Sequence, residues 1–291
     1  MNGFVQAILS IDSKIYHFLN HFAGNQIFAH LVVHEERNNL LKGGIFFAVY
    51  WYLWFRNSPD RDRRRRAIVA IVIGAVLAII MVRTVSFIAP FRTRPMYDPT
   101  NGHPLNSIAA TANIEDWSAF PSDTAAYFFA LAFGLAYLLR RLAIPIMLYT
   151  AVWICLPRMC LGIHYASDIV VGGAIGISTV WLSLRSDFLQ SIVAHRALDA
   201  METTPEWFYA IVFLLSFEMA TIFDGLRDVG HAVLGVILIA SHMPRKHSPI
   251  YEWGGLLAMA GFLAATYVGS VLLYQKSRQG RLKDPPKPPR H

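Results

Sequence analysis

Residues Ala67–Ala89 read AIVAIVIGAVLAIIMVRTVSFIA, and Arg83 is the one ionisable residue in this run. The run exceeds the roughly 20 apolar residues that a helix needs to cross a bilayer. Residues 61–66, RDRRRR, stand directly before it. Such a basic run is typical of a cytoplasmic anchor under the positive-inside rule, and the weaker alternative is a nucleic-acid-binding patch. We favour the anchor, which places the Ala89 end outside and predicts no binding of nucleic acid.

The composition of the whole chain agrees with a membrane protein. Of its 291 residues, 55% are hydrophobic and 15% are charged, whereas roughly 25% of residues are charged in soluble domains. The mean hydropathy is +0.39. Two cysteines, Cys155 and Cys160, are too few for a disulfide framework or a four-cysteine zinc site. We therefore predict an all-α, polytopic bundle of membrane helices.

Other apolar segments continue the pattern of crossings on both sides of residues 67–89. Basic residues at Arg140, Arg141 and Arg185 mark inner ends of these segments and agree on one orientation of the chain. The predicted crossings are Gly43–Phe55, Thr124–Leu139, Leu142–Pro157, His164–Leu184, Trp207–Ile222 and Trp253–Tyr274.

Two segments leave alternatives open. Phe4–Phe22 holds Asp12 and Lys14 among apolar residues, so it either crosses the membrane or lies in the interface. Ala232–Ala240 is too short to cross alone and is interpreted as re-entrant or interfacial.

We divide the chain into three parts by composition. Residues 1–190 form a membrane core of six predicted helices, and residues 191–275 add about two further membrane helices. Residues 276–291 form a basic, proline-rich tail that we expect to be disordered and cytoplasmic. A polar cluster in the second part is either a membrane-edge loop or an interface for a membrane-protein partner; it comprises Glu218, Asp224, Arg227 and Asp228.

The predicted topology brings polar residues from several segment ends to the outer face at a similar depth. Ionisable groups at bilayer depth are costly and mark candidate functional sites. Arginines bind phosphate through planar, bidentate donors, and Ser122 can cap the helix after it so that backbone N–H groups face an anion. The residues therefore predict a phosphate-binding site, and its members are Arg92, Arg94, Ser122, Arg158, His164 and Asp168.

His164 and Asp168 add a chemical possibility to this site. They are four residues apart and share one face of a helix. An aspartate can hold one ring nitrogen of a histidine and leave the other free as nucleophile or base. The same pair also occurs as a structural helix cap, and the residues alone leave both interpretations open.

Three short motifs resemble those of the type-2 phosphatidic acid phosphatase superfamily, the membrane relatives of vanadium haloperoxidases. Arg158-x5-His164-x3-Asp168 is similar to its third signature, and Arg94-Pro95 resembles the end of its first, K-x6-R-P. Residues 121–124, PSDT, resemble its second, P-S-G-H, which commonly reads P-S-D-H in the undecaprenyl-pyrophosphate phosphatase branch. Residues 18–24, FLNHFAG, look like the N-terminus of that branch.

The resemblance implies a role for each matching residue. His164 would attack phosphorus and form a phospho-histidine, and Asp168 would orient it. Arg94 and Arg158 would bind the phosphoryl oxygens, and Ser122 would assist with its helix N-terminus. The family needs no metal or other cofactor, and it places the protein in the bacterial inner membrane with the site facing outward.

Two positions depart from the family pattern. Phe87 occupies the place of the first-signature lysine, for which Arg83 and Arg92 are candidate substitutes. Thr124 replaces the second-signature histidine that protonates the leaving group, and a threonine hydroxyl is no general acid near neutral pH. Asp123 or His103 is a candidate proton donor in its place. We also count Asp123, Thr124 and Arg83 among the phosphate-binding residues.

These departures favour a diphosphate substrate, because a departing phosphate needs little protonation whereas an alkoxide needs it. We expect a lipid phosphatase or phosphotransferase that acts on a polyprenyl diphosphate such as undecaprenyl pyrophosphate, with membrane lipids around it. The alternative is a catalytically impaired relative that binds or moves lipid phosphates or scaffolds membrane partners. A transporter with a midplane site is a weaker interpretation, because the chain shows no internal repeat.

Overall fold

The computed structural model describes residues 3–22, 25–101, 117–222 and 261. These residues form helices and no strand, so the predicted all-α class is confirmed. The chain divides into two compact units, residues 1–190 and residues 191–291. Several predictions lie outside the described residues: those for His103, Asp224, Arg227, Asp228, Ala232–Ala240, Trp253–Tyr274 apart from Gly261, and residues 276–291.

The first unit contains eight described α-helices. A π-helical turn, Leu40–Gly44, leads into α3, and a second, Thr150–Cys155, joins α6 to α7. The helices are α1 Gly3–Phe22, α2 Gln26–Arg37, α3 Ile45–Phe55, α4 Arg61–Ile88, α5 Asp123–Leu138, α6 Ala143–Tyr149, α7 Leu156–Cys160 and α8 Ala166–Arg185.

The second unit is described over two helices. A π-helical stretch, Phe188–Val193, leads into α9, Ala194–Thr203. The next helix, α10, spans Pro205–Ala220 and has proline in its first turn, where the missing N–H has no intrahelical acceptor. It corresponds to the predicted crossing at Trp207–Ile222.

Three described helices are long and apolar enough to cross a membrane: Arg61–Ile88, Arg140–Cys160 and Ala166–Arg185. Leu40–Phe55 and α5 are shorter apolar helices. These five match the predicted order of segments, although α4 begins at Arg61, the first residue of the basic run, instead of after the run. Helix α2 was not predicted, because its mixed sequence QIFAHLVVHEER has no long apolar run.

Helices α4, α5 and α8 pack against one another in the first unit. Two glycines on α8 allow its close approach to α5. A Cβ on Gly172 would lie 2.3 Å from the carbonyl oxygen of Ser122, and one on Gly176 would lie 1.9 Å from that of Ala126. This four-residue glycine spacing is common where membrane helices touch closely. It brings the first turns of α5 and α8 together.

Helices α1 and α2 flank the same end of this unit. Both pack against α7, and α1 also contacts α8. These contacts bring two acidic residues, Asp12 of α1 and Glu36 of α2, to the helix ends where the predicted site lies.

Candidate functional site at the meeting of two helix N-termini

The first turns of α5 and α8 are joined and capped by their own residues. Ser122 Oγ accepts a hydrogen bond from Ala125 N (3.3 Å), as predicted for the N-cap of α5. Asp168 Oδ2 accepts from Tyr165 N (2.8 Å) at the start of α8. Ser122 N donates to the carbonyl oxygen of Asp168 (3.1 Å), which ties the two helix starts together. Two positive helix ends therefore face one region.

His164 lies in this region with one ring nitrogen fixed. Nδ1 is 2.8 Å from the carbonyl oxygen of Ala119, an acceptor that requires the proton on Nδ1. Nε2 is buried and makes no hydrogen bond with any described residue. Burial lowers the pKa of His164. The charges of Arg158 and Arg94 lower this pKa further, whereas Asp168 raises it. The imidazole is thus neutral, with its free lone pair on Nε2.

Asp168 contacts the histidine less directly than the sequence predicts. Its Oδ2 lies 3.8 Å from His164 Nδ1, which is within ion-pair range but beyond hydrogen-bond distance. The carbonyl of Ala119 takes the hydrogen bond that we expected from Asp168. The carboxylate is fully buried and acts on the ring through its charge, while Arg92 Nη1 donates to its Oδ1 (2.5 Å).

Arg92 binds two carboxylates. Besides Asp168, it donates from Nη2 to Asp12 Oδ2 (2.6 Å), and its guanidinium lies 4.2 Å from the centre of the Tyr165 ring. Tyr165 is itself anchored, because its hydroxyl donates to Asp98 and accepts from Asn101. Both terminal nitrogens of Arg92 are therefore engaged with protein groups.

Arg94 has a different environment. It donates to two backbone carbonyls, from Nε to Trp117 (3.2 Å) and from Nη1 to Ile163 (3.0 Å). Burial lowers the pKa of Arg94 to about 10, so the guanidinium is still charged at neutral pH. Backbone carbonyls orient this guanidinium beside His164, and the nearby carboxylate of Asp123 favours its charged form.

Arg158 is held by a residue that the sequence analysis did not single out. Its Nη1 donates to Glu36 Oε1, and Lys42 Nζ lies 3.7 Å from the same oxygen. The pairing is incomplete, since Arg158 Nε and Glu36 Oε2 are both buried without a hydrogen bond to any described residue. The expected phosphate clamp is thus bound to a carboxylate of α2.

The remaining predicted residues form a third group. Arg83 donates to Asp123 Oδ2, and its guanidinium lies 4.4 Å from the centre of the Trp117 ring. Asp123 Oδ1 accepts from Thr124 N (2.8 Å) and, more weakly, from Thr124 Oγ1 (3.4 Å). Phosphate binding by these three residues stays a prediction. Within the ranges that the structure describes, no three His, Cys, Asp or Glu side chains are grouped as metal ligands would be.

The sequence motifs did not identify four further groups at the site: Asp12, Glu36, Lys42 and the carbonyl of Ala119. Asp12 carried a signal, because an ionisable residue in an apolar helix usually has a buried partner. The pairs Arg92–Asp12 and Arg158–Glu36 are separated by 80 and 122 positions in the chain. The contact of His164 with the backbone carbonyl of Ala119 could not be predicted from residue type, because every residue has such a carbonyl.

Comparison with known proteins finds a family match over part of the chain that carries this site. Residues 85–191 match the PAP2 superfamily, which confirms the resemblance to the type-2 phosphatidic acid phosphatases. The chain is also 25% identical over 150 residues to the bacitracin transport permease protein BcrC of Bacillus licheniformis, covering 50% of this chain and 67% of that protein. No solved structure matches the chain significantly. Asp12, Glu36 and Arg83 precede the matched segment.

Proposed function

We propose that the protein is a membrane lipid phosphatase that cleaves a polyprenyl diphosphate through a phospho-histidine at His164. The family match supports the coarser statement, a membrane phosphatase of the PAP2 type. The observation that carries the proposal is the state of His164. Its Nδ1 is held by a carbonyl, its Nε2 lone pair is free, and Arg94 and Arg158 act on the ring by their charge.

In the proposed reaction, His164 Nε2 forms a bond to the terminal phosphorus, and the bond from that phosphorus to the bridging oxygen breaks. The leaving group is the polyprenyl monophosphate, which departs as an anion and needs no proton. Water then attacks the phospho-histidine, releases inorganic phosphate and restores the neutral ring. Arg94 and the N-termini of α5 and α8 stabilise the charge that develops on the phosphoryl oxygens.

The position of the site supports its assignment to the outer face. In the first unit, basic residues lie at the helix ends that are away from the site. They are residues 61–66 at the start of α4, Arg140 and Arg141 after α5, and Arg185 at the end of α8. The positive-inside rule places those ends in the cytoplasm. The site then faces the periplasm or the exterior, where we propose that it meets a lipid diphosphate.

An apolar groove of about 370 Å³ supports a lipid substrate. It lies between α4 and α8, and its wall includes Leu77, Met81 and Leu182. The groove reaches Thr84, the residue after Arg83. A substrate whose phosphate is bound at the site has an apolar surface nearby for its chain.

We expect the protein to discriminate strongly between leaving groups. Thr124 supplies no general acid, and a missing general acid costs roughly 10²–10⁴-fold when the leaving group needs a proton. Purified protein in detergent should release phosphate from undecaprenyl diphosphate, and at least about 100-fold more slowly from undecaprenyl phosphate and phosphatidic acid. Comparable rates on all three lipids would contradict the proposed chemistry and indicate that another group, such as Asp123, donates a proton.

The second candidate function is a relative that binds lipid phosphates without cleaving them. The pairing of Arg158 with Glu36 favours it, because this carboxylate competes with a phosphate for the clamp. Under this alternative the site binds inorganic phosphate and lipid diphosphate but releases no product. The same assay, combined with a binding measurement, separates the two functions.

Substitution of Glu36 by Gln tests how far this carboxylate blocks the clamp. Removing the negative charge should free Arg158 and tighten binding of inorganic phosphate by about tenfold, because close charge pairs couple by more than 1 kcal/mol. Isothermal titration of the purified protein with phosphate measures the change, and Glu35→Gln on the same helix is the matched control. Unchanged or weaker binding in Glu36→Gln alone would show instead that Glu36 holds Arg158 in its binding position.

A further inference from the structure

Asp12 is a buried carboxylate of α1 that lies outside the segment matched to the family. It is 2% exposed. Its Oδ1 accepts from Ser167 N (2.9 Å), and its Oδ2 accepts from Ser167 Oγ and from Arg92 Nη2 (2.6 Å). Every one of these donors belongs to the α8 start or to the loop after α4. The carboxylate is therefore built into the site from a helix that carries none of the family signatures.

Arg92 joins this carboxylate to the one beside the histidine. Its Nη1 binds Asp168 and its Nη2 binds Asp12, so one planar guanidinium spans both acids. The ring of Tyr165 supports the guanidinium from one face. Burying a carboxylate is unfavourable unless it is paired and hydrogen-bonded, and an apolar contact would attach α1 to α8 without this cost. The arrangement therefore points to a role beyond packing.

We propose that Asp12 is a positioning residue, which holds Arg92 against Asp168 and balances its charge so that Asp168 keeps its influence on His164. This inference rests on the proposed function of His164 as nucleophile. Asp12 touches neither the substrate nor the reacting nitrogen. It acts through Arg92 and Asp168, in the order Asp12, Arg92, Asp168, His164.

The charges around His164 give the direction of the effect. Asp168 favours the protonated ring, while Arg94 and Arg158 oppose protonation. Arg92 brings a further positive charge against Asp168, and Asp12 compensates that charge. Without the Asp12 charge, Arg92 neutralises Asp168 more completely, and the pKa of His164 falls below its already lowered value. A less basic imidazole is also a weaker nucleophile.

Substitution of Asp12 by Asn should therefore change both rate and pH dependence. The nucleophile is the neutral ring, so kcat/KM falls as the pH drops through the His164 pKa. In Asp12→Asn this acid limb should move to lower pH. The plateau kcat with undecaprenyl diphosphate should fall by about 10-fold to 100-fold, the range found when a hydrogen-bonded partner of a metal ligand is lost. KM should change little, because Asp12 does not bind substrate.

Two control variants distinguish a positioning role of Asp12 from a purely structural one. Asp62→Asn removes an exposed carboxylate near the far end of α4 and should leave the profile unchanged. Arg92→Lys keeps the charge but cannot span two carboxylates, and it should lower kcat like Asp12→Asn. A lower thermal stability of Asp12→Asn with an unmoved acid limb, or wild-type kcat in Arg92→Lys, would overturn the inference.

One further measurement keeps this inference distinct from the proposed function. NMR titration of the His164 ring in detergent-solubilised protein follows its protonation without turnover. If the wild type releases no phosphate from any lipid, the proposed function fails. The Asp12 inference then stands or falls on the ring titration, which should move to lower pH in Asp12→Asn and stay in place if Asp12 does not act through Asp168.

Discussion

Alanine in place of His164 is expected to abolish phosphate release from undecaprenyl diphosphate. The change removes the nitrogen that attacks phosphorus, and loss of a catalytic nucleophile lowers turnover by roughly 10⁴-fold or more. The ring is buried, its Nδ1 donates to the Ala119 carbonyl, and Asp168 Oδ2 lies 3.8 Å from the same nitrogen. The variant should therefore still fold and bind phosphate through Arg94. Single-turnover phosphate release and phosphate binding measure the two properties separately.

His195→Ala is the matched control for this experiment. His195 also pairs with an aspartate four residues later, Asp199, at 3.6 Å. However, its side chain is 63% exposed, and the pair belongs to α9 in the second unit. We expect wild-type turnover in His195→Ala. Turnover retained in His164→Ala would contradict the phospho-histidine mechanism, and equal loss in both variants would point to unfolding.

The two His–Asp pairs also show what could be predicted from the sequence and what could not. Both have the same spacing, and spacing alone places each pair on one helix face. Burial distinguishes them, since His164 is 2% exposed. Burial depends on the packing of α5 against α8, which comes from contacts between distant parts of the chain. The motif from Arg158 to Asp168 singled out His164 in the sequence. Its burial beside two helix N-termini explains physically why this histidine differs from His195.

The helices themselves were more predictable than the contacts between them. The long apolar run at Ala67–Ala89 and the cap at Ser122 are local signals, and α4 and α5 follow them closely. Helix α2 lacks such a signal, so Glu36 could not be placed beside Arg158. Side-chain type suggested that every arginine near the site binds phosphate, but pairing with a carboxylate is a property of the folded chain.

These pairings change the electrostatics of the site. Arg92, Arg158 and Arg83 each bind a carboxylate, whereas the two acceptors of Arg94 described above are backbone carbonyls. Asp123 also acts on Arg94, where it favours the charged guanidinium. We expect Arg94 to bind the phosphate together with the helix N-termini, and Arg158 to join when the phosphate displaces Glu36.

Gly176→Ala is expected to destabilise the first unit and disrupt the site together. The new Cβ would lie 1.9 Å from the carbonyl oxygen of Ala126 and 2.8 Å from its carbon, and these backbone atoms of α5 cannot rotate away. Alanine gains up to about 1 kcal/mol in helix propensity over glycine, but overpacking costs about 1–3 kcal/mol and occasionally more. A separation of α8 from α5 also stretches the bond from Ser122 N to the Asp168 carbonyl.

Gly3→Ala provides the comparison for this experiment, because a Cβ there would meet nothing within 4 Å. It adds the same methyl group at the first residue of α1 without a clash, so its melting temperature in detergent should equal or slightly exceed that of the wild type. Gly176→Ala should melt several degrees lower, since about 1 kcal/mol corresponds to roughly 2–4 °C for a unit of this size. It should also lose phosphate release at temperatures where it is still folded, because the starts of α5 and α8 no longer meet. Equal melting of the two variants would mean that α5 and α8 do not approach closely at Gly176, and the joined helix starts that support His164 would then lose their structural basis.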